Sequence, residues 1–257
     1  MKTLRTIGEV REELASVPAD ATIGLVPTLG ALHEGHASLI RAARAECSVV
    51  VVSVFVNPAQ FEEGADLGRY PRDERADEHI AAAERVDLLF APSVEEMYPP
   101  GFQTWLDVVE LGHILEGKRR PGHFRGVATV CLKLFNIVSP QRAYFGQKDA
   151  QQVAVIRRLI EDLNLDLTIR VLPIVRDVDG LALSSRNVLL TAEERRAALA
   201  LPRALATRDP DHARAILTDL DIDYVEIADF DPPVLAAAVR VGSVRLIDNV
   251  VLDKELP

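Results

Sequence analysis

The alternation of short apolar runs with segments of helical periodicity constrains the fold of this chain more than any other feature. Residues 48–56 (SVVVVSVFV) are rich in β-branched apolar side chains that would face both sides of a strand. Other apolar runs in the chain also have the length of a β-strand. Strands that are apolar on both faces are typical of a parallel sheet that helices cover on both sides. The sequence therefore predicts an α/β protein.

Predicted strands and helices alternate as far as residue 171. The predicted strands are residues 22–27, 48–56, 87–91, 142–145 and 166–171, and the predicted helices are residues 34–46, 73–85, 124–138 and 149–164. This order predicts a Rossmann-like parallel sheet with helices on both faces over residues 1–174. In such open sheets, ligands bind outside the carboxyl ends of the strands, so the segments that follow the strands are the ones to inspect.

The pattern changes after Pro173. The pair Asp179-Gly180 is a turn signal between two short extended runs, and Thr191 with Glu194 forms a capping box at a helix start. The predicted elements are a hairpin over residues 174–183, a helix over residues 191–206, and strands over residues 223–228 and 244–252. We therefore predict a small α+β domain over residues 175–257.

Charge and composition restrict the class of partner. The net charge is −10 and the pI is about 5.1, which argues against a broad electrostatic surface for nucleic acid. Cys47 and Cys131 lie in or beside apolar runs, which predicts buried free thiols in a reducing compartment. The N-terminal segment has no apolar core of a signal peptide, and no window is long enough to cross a bilayer. We expect a cytoplasmic protein without a membrane partner.

The histidine segment (residues 27–36, PTLGALHEGH) follows the first predicted strand and enters a helix. A helix N-terminus offers unpaired N–H groups and a partial positive charge, so it suits a phosphate. His33 and His36 can both donate to phosphate oxygens, and Gly30 and Gly35 allow the backbone to approach closely. Two other readings are a surface loop with incidental histidines and a metal site, although the sequence offers no Cys/His pair spaced to complete one.

Two further segments carry polar groups. The amide segment (residues 55–61, FVNPAQF) contains Asn57 and Gln60, whose amides could orient a hydroxyl or carboxylate, although a plain turn fits equally well. The basic segment (residues 116–126, EGKRRPGHFRG) gathers four basic side chains and a histidine before a long predicted helix. A solvated loop is the alternative there, but its glycines and proline indicate a shaped loop.

The last two segments offer more phosphate donors. In the lysine segment (residues 145–152, FGQKDAQQ), Lys148 could reach a phosphate and Asp149 could cap the following helix. In the serine–arginine segment (residues 184–187, SSRN), two hydroxyls and a guanidinium could hold phosphate oxygens. The five segments contain no evident nucleophile. This favours chemistry in which bound substrates react with each other and the protein supplies positioning and charge stabilisation.

The combination of FVNPAQF, RPGHFRGVATV, FGQKDAQQ and SSRN, in this order, resembles the pantothenate synthetases, a family of the nucleotidyltransferase superfamily. The resemblance covers most of residues 20–190 and resumes at residues 223–229 and 245–249. It implies that ATP adenylates pantoate and that β-alanine then displaces AMP, with Mg²⁺ bridging phosphate oxygens. It also implies a homodimer and a C-terminal lid that keeps water from the acyl-adenylate.

The same resemblance assigns roles to individual residues. His33 and His36 would bind the ATP phosphates and stabilise the adenylation transition state, and the triphosphate would also be held by Lys148, Ser184, Ser185 and Arg186. The remaining ATP-binding residues would be Pro27, Thr28, Leu29, Gly35, Gly146 and Asp149. Pantoate would be held by Asn57, Gln60, Arg120 and Gln152. No metal ligand is assigned.

Three departures from the family pattern are visible. Leu29 and Leu183 stand where the family usually has methionine, and both changes conserve the volume of the side chain. Residues 207–220 form a shorter connection than is usual, so the predicted lid is trimmed.

Two alternatives to a synthetase are open. One is a related nucleotidyltransferase that releases a nucleotidylated product, and the other is a protein that binds pantoate and ATP without turnover.

Overall fold

The computed structural model describes residues 1–61 and 65–252, which form two compact units. The first unit comprises Met1–Phe145 and Val155–Leu172. The second comprises Gly146–Ala154 and the chain from Pro173 onward. Helix α8 therefore begins in the second unit and continues into the first.

The first unit contains a six-stranded sheet in the order β1-β4-β3-β2-β5-β6. The strands are β1 (Lys2–Leu4), β2 (Ile23–Thr28), β3 (Val49–Val54), β4 (Leu88–Phe90), β5 (Arg142–Gly146) and β6 (Thr168–Leu172). The pairings of β1 with β4, β4 with β3, β3 with β2, and β2 with β5 are parallel. The short strand β1 was absent from the prediction, because three residues cannot establish a period.

Eight helices of the described chain accompany this sheet. They are α1 (Ile7–Ala15), α2 (Glu34–Glu46), α3 (Ala65–Arg69), α4 (Glu74–Ala83), α5 (Val94–Met97), α6 (Leu115–Arg119), α7 (His123–Val138) and α8 (Ala150–Asp162). The core between β3 and α2 is shielded from solvent, since Val50, Val52 and Ile40 are fully buried. The strands that were predicted to be apolar on both faces thus lie inside the sheet, as the pattern requires.

The second unit is built on a three-stranded antiparallel sheet in the order β7-β8-β9. Its elements are α9 (Ala192–Ala198), α10 (Ala200–Leu205), α11 (Pro210–Ile216), β7 (Asp221–Ala228), β8 (Val234–Val241) and β9 (Val244–Val251). Leu201 and Leu217 of the helical layer are buried in one core with Leu235 of the sheet. The predicted class, an α/β sheet with a separate small α+β unit, is confirmed.

Two details of this second unit differ from the prediction. The helix predicted over residues 191–206 is divided into α9 and α10, because Pro202 has no N–H to donate and its ring clashes with the preceding turn. The central strand β8 (VLAAAVRV) was missed, since its run of alanines has low β-propensity. Pairing with β7 and β9 on both sides overrides that propensity. The capping box at Thr191 and Glu194 is confirmed.

Candidate active site

The histidine segment joins β2 to α2, and both of its histidine rings accept hydrogen bonds from backbone N–H groups of the segment. His33 caps α2, and its Nδ1 accepts the N–H of Gly35 at 3.1 Å. His36 Nδ1 accepts the N–H of His33 at 3.2 Å, and the ring centroids lie 4.1 Å apart. Because each Nδ1 is an acceptor, the proton of each neutral ring lies on Nε2. Both rings therefore present an Nε2–H donor, as a phosphate-binding role requires.

A buried aspartate holds the loop that leads into this pair. Gly30 and Ala31 both have positive φ, at +82° and +50°. Asp77 of α4 accepts the N–H of Ala31 at 3.0 Å and that of Leu32 at 2.6 Å. Asp77 is only 2% exposed, and burial raises the pKa of its carboxyl group. Sequence reasoning missed this residue, although an acidic side chain on the buried face of a helix is a signal of such a role.

The residues predicted for the ATP site at the end of β2 make hydrogen bonds and packing contacts within the fold. Thr28 Oγ1 donates to the carbonyl of Ser53 on β3 at 2.7 Å and accepts the N–H of Gly30 at 3.2 Å. Pro27 and Leu29 are half-buried on either side of it. These contacts fix the exit of the chain from the sheet. The structure thus gives Thr28 a positioning role.

The amide segment forms a short 3₁₀ turn (Pro58–Gln60) after β3. Asn57 is fully buried, and its Oδ1 accepts from the N–H of Ala59 and the hydroxyl of Tyr98. Its Nδ2 donates to Gln60 Oε1 at 2.9 Å and to the Gly126 carbonyl at 3.2 Å. Both donors and both acceptor positions of Asn57 are thereby used. Asn57 consequently orients the Gln60 amide so that its Nε2 is directed away from Asn57.

The basic segment is hydrogen-bonded to the same turn. His123 Nδ1 lies 2.8 Å from the Gln60 carbonyl, and Arg120 donates to that oxygen at 3.3 Å. Since a carbonyl only accepts, Nδ1 of His123 carries a proton. A Cβ on Gly126 would stand 2.3 Å from the Ala59 carbonyl oxygen, so α7 meets the turn at backbone distance. The structure thus brings together Asn57, Gln60 and Arg120, which are three of the four residues predicted for the pantoate site.

The remaining predicted residues lie in the second unit. The lysine segment forms a 3₁₀ turn (Gln147–Asp149) directly after Gly146, and Gln152 follows in the first turn of α8. Lys148 Nζ lies 3.8 Å from Asp149 Oδ1. In the serine–arginine segment, Ser184 Oγ accepts the N–H of Arg186 at 3.3 Å, and Ser185 begins a further 3₁₀ turn (Ser185–Leu189).

Neither cysteine is placed to act as a nucleophile. Cys47 and Cys131 are free thiols and are buried, as predicted. Burial raises the pKa of the Cys131 thiol to about 12, so this thiol is protonated at neutral pH. Within residues 1–61 and 65–252, no three His, Cys, Asp or Glu side chains are grouped so that they could hold a metal ion. In the same residues, no helix is both long and apolar enough to span a membrane.

The family model described as Pantoate-beta-alanine ligase matches residues 2–251 of the chain. The chain belongs to the pantoate-beta-alanine ligase family. Among curated members, the pantothenate synthetase of Roseiflexus castenholzii is 51% identical over 279 residues, covering 98% of this chain and 100% of that protein. The pantothenate synthetase of Heliobacterium modesticaldum is 52% identical, covering 97% of this chain and 100% of that protein.

Solved structures of the family share the fold. Pantothenate synthetase from Thermus thermophilus aligns with a TM-score of 0.92 at 43% identity, covering 98% of this chain and 99% of that chain. The pantoate-beta-alanine ligase from Francisella tularensis aligns with a TM-score of 0.89 at 38% identity, covering 98% and 97%. That Francisella structure is complexed with Beta-gamma ATP and beta-alanine.

This chain is shorter than its curated relatives within the aligned region. The alignment with the Roseiflexus protein extends over 279 positions, whereas the chain has 257 residues. The connection between α10 and β7, which the sequence marked as trimmed for this family, still contains α11. Ala213 and Leu217 of this connection are fully buried. This connection therefore contributes to the core of the second unit.

Proposed function

We propose that this chain condenses pantoate with β-alanine at the expense of ATP, through a pantoyl-adenylate, and releases AMP and pyrophosphate. The observation that carries the proposal is the family match over residues 2–251. The complex of the Francisella relative with Beta-gamma ATP and beta-alanine supports it.

In the first step, an oxygen of the pantoate carboxylate attacks the α-phosphorus of ATP and pyrophosphate leaves. Negative charge grows on the phosphate oxygens during this step, so fixed donors stabilise the transition state more than the ground state. The Nε2–H groups of His33 and His36 are such donors, and their backbone hydrogen bonds fix the ring orientations beforehand. The N-terminus of α2 adds its partial positive charge. Gly35 leaves room for the His33 ring, since a Cβ there would stand 2.9 Å from a ring carbon.

The triphosphate would be held by Lys148 together with Ser184, Ser185 and Arg186. Gly146 and Asp149 would flank the nucleotide on the lysine segment, and Pro27, Thr28 and Leu29 would do so on the histidine segment. Mg²⁺ would enter with ATP, since it is commonly held by phosphate oxygens, water and one or two carboxylates. The exposed carboxylate of Asp149, next to Lys148, fits such a partial ligand set. The ion would supply neutralisation of phosphate charge.

Pantoate would be held by Gln60 and Gln152, and Arg120 would shape its pocket. Asn57 would act there through Gln60, because its own hydrogen bonds are made within the protein. In the second step, the amine of β-alanine attacks the acyl carbon, the acyl–phosphate bond breaks and AMP leaves. As the amide forms, the amine nitrogen loses one proton, which the phosphate of the departing AMP or solvent takes up.

Four further features of the proposal concern the organisation and location of the protein. Residues 1–174 would form the nucleotide- and pantoate-binding domain, and residues 175–257 would act as a lid that keeps water from the acyl-adenylate. The chain would act as a homodimer in the cytoplasm. The lid and the homodimer rest on resemblance to the family, whereas the cytoplasmic location rests on the two buried free thiols. Gel filtration with light scattering would measure the oligomeric state, and a monomer at assay concentration would contradict the homodimer.

The test of the reaction is release of AMP from ATP, Mg²⁺ and pantoate, with and without β-alanine. Formation of AMP only when β-alanine is present is expected. Binding of pantoate and ATP without any turnover would contradict the proposal. Pyrophosphate without AMP would indicate that the adenylate forms and remains bound.

Two variants test the roles of single residues. His36→Ala should abolish turnover while the circular dichroism spectrum is unchanged, whereas His79→Ala, on the exposed side of α4, should behave as the wild type. Gln152→Ala should raise the KM for pantoate, with the exposed Gln103→Ala as its control. Normal turnover of His36→Ala, or an unchanged pantoate KM in Gln152→Ala, would remove that residue from the site.

A further inference from the structure

Strand β9 holds two separate segments of the second unit through adjacent side chains. Asp248 and Asn249 are each 2% exposed, and each is a buried polar residue that must find hydrogen-bond partners. Asn249 bonds to the lysine segment, and Asp248 bonds to the hairpin that precedes the serine–arginine segment. Both residues lie in the stretch 245–249, which resembles the family, but the resemblance assigns them no role.

Asn249 fixes the backbone on both sides of the Lys148 α-carbon. Its Nδ2 donates to the carbonyl of Gln147 and to the carbonyl of Lys148, each at 2.9 Å. Its Oδ1 accepts from Nε2 of Gln147 at 3.3 Å. A primary amide has two N–H donors on one nitrogen, so it can hold two consecutive carbonyls at once. The direction in which the lysine side chain leaves the turn is thereby set from β9.

Asp248 holds the second segment through an ion pair. Its two carboxylate oxygens accept from Nη1 and Nη2 of Arg176 at 2.7 Å and 3.1 Å, a paired geometry that restricts both side chains. Arg176 also donates to the Gly180 carbonyl and bridges to Ala182 across the hairpin. The chain leaves this hairpin directly into Ser184. The path of the serine–arginine segment is thus tied to the residue next to Asn249.

We propose that Asn249 is a positioning residue for Lys148 and that Asp248 does the same for the serine–arginine segment, so that β9 sets the spacing of the two groups of triphosphate ligands. This inference rests on the proposed function, in which both segments bind the phosphates of ATP. The contacts that carry it lie within the second unit, to which Gly146–Ala154 belongs. Neither Asp248 nor Asn249 is proposed to touch ATP.

The decisive experiment is a double-mutant cycle between Asn249 and Lys148. Asn249→Ala should lower kcat/KM for ATP by up to about 100-fold, the order of loss that a displacement of about 1 Å can cause. The KM for pantoate should change little. In a Lys148→Ala background, Asn249→Ala should cost less than about twofold more, since residues that act as a unit are not additive. Equal losses in both backgrounds would overturn the inference.

Two further variants separate positioning from loss of stability. Asn249→Asp keeps the size of the side chain, but a carboxylate oxygen then faces the carbonyls of Gln147 and Lys148 in place of the NH₂ group. Its loss of kcat/KM for ATP should therefore equal or exceed that of Asn249→Ala. Asp223→Asn weakens the ion pair with Arg245 in the same sheet (Nε to Oδ2, 2.5 Å), away from the lysine segment. This control should lower the unfolding temperature and leave kcat/KM for ATP unchanged. An equal loss of kcat/KM in Asp223→Asn would overturn the inference.

The cycle is also run on the Kd of ATP, measured by calorimetry without pantoate. This Kd does not depend on turnover. If the wild type were inactive, the proposed function would be refuted, but the Kd values would still test the positioning role. A weaker Kd in Asn249→Ala that disappears in the Lys148→Ala background would support the inference. A Kd that Asn249→Ala leaves unchanged, together with an unchanged kcat/KM, would refute it.

Discussion

Replacement of Asp77 by asparagine should destabilise the loop that leads into His33, although the volume of the side chain stays the same. In the wild type, one carboxylate oxygen accepts the N–H of Ala31 and the other accepts that of Leu32. An asparagine offers a single acceptor, so its NH₂ group faces one of these two donors. A buried donor without a partner costs about 1–3 kcal/mol.

Two smaller effects adjust this magnitude. The remaining hydrogen bond loses its charge assistance, which adds roughly 1 kcal/mol to the loss. The neutral amide, in contrast, avoids the desolvation that raises the pKa of the Asp77 carboxyl. We therefore expect a net loss of about 2 kcal/mol in the free energy of unfolding at neutral pH.

The pKa shift of Asp77 also predicts how this loss depends on pH. Burial is the largest cause of the shift, and the nearby Asp73 and Glu74 raise the pKa further. Because the pKa in the folded protein lies above that in the unfolded chain, the stability that the group contributes is fully present below the unfolded value. It declines as the pH rises through the folded value. Asparagine does not titrate, so the difference between wild type and variant should be largest in acid.

The assay is urea unfolding of both proteins at a series of pH values, with turnover measured in parallel. The exposed Asp20→Asn serves as the matched control and should stay within about 0.5 kcal/mol of the wild type. Turnover of Asp77→Asn should fall, because its histidine segment is less well held. A loss below about 0.5 kcal/mol, or a difference that grows with rising pH, would refute the reasoning.

Three other substitutions test the packing of the site. Gly30→Ala places a Cβ 2.9 Å from a carboxylate oxygen of Asp77. Its free energy of unfolding should therefore fall by about 1–3 kcal/mol more than that of Gly101→Ala, where φ is similarly positive but the space is open. Equal losses of the two variants in urea unfolding would contradict this. Gly126→Ala should force α7 away from the amide segment and raise the KM for pantoate more than that for ATP; unchanged pantoate KM would exclude the effect. Tyr98→Phe removes a donor to Asn57 and should cost about 0.5–1.5 kcal/mol of stability, and a stability equal to that of the wild type would show that water replaces the hydroxyl.

The sequence alone predicted the α/β class and the segments in which to look for the site. Both predictions depend on local patterns: β-branched runs that are apolar on both faces, helical periodicity, and polar residues directly after strands. The capping box at Thr191 could also be predicted from a local pattern, since its two partners are three residues apart in the sequence. The function came from a resemblance across several segments, and the family match agrees with it.

The tertiary structure decided what each polar side chain does. Asn57 was predicted to contact pantoate, but Tyr98 and Gly126 use its hydrogen bonds from 41 and 69 residues away. Asn249 reaches the lysine segment across about 100 residues, at separations of 101 and 102. Strand β8 forms despite its alanines because strands on both sides pair with it. Local propensity records only neighbours along the chain, whereas a buried polar group is satisfied by whatever residue folding brings to it.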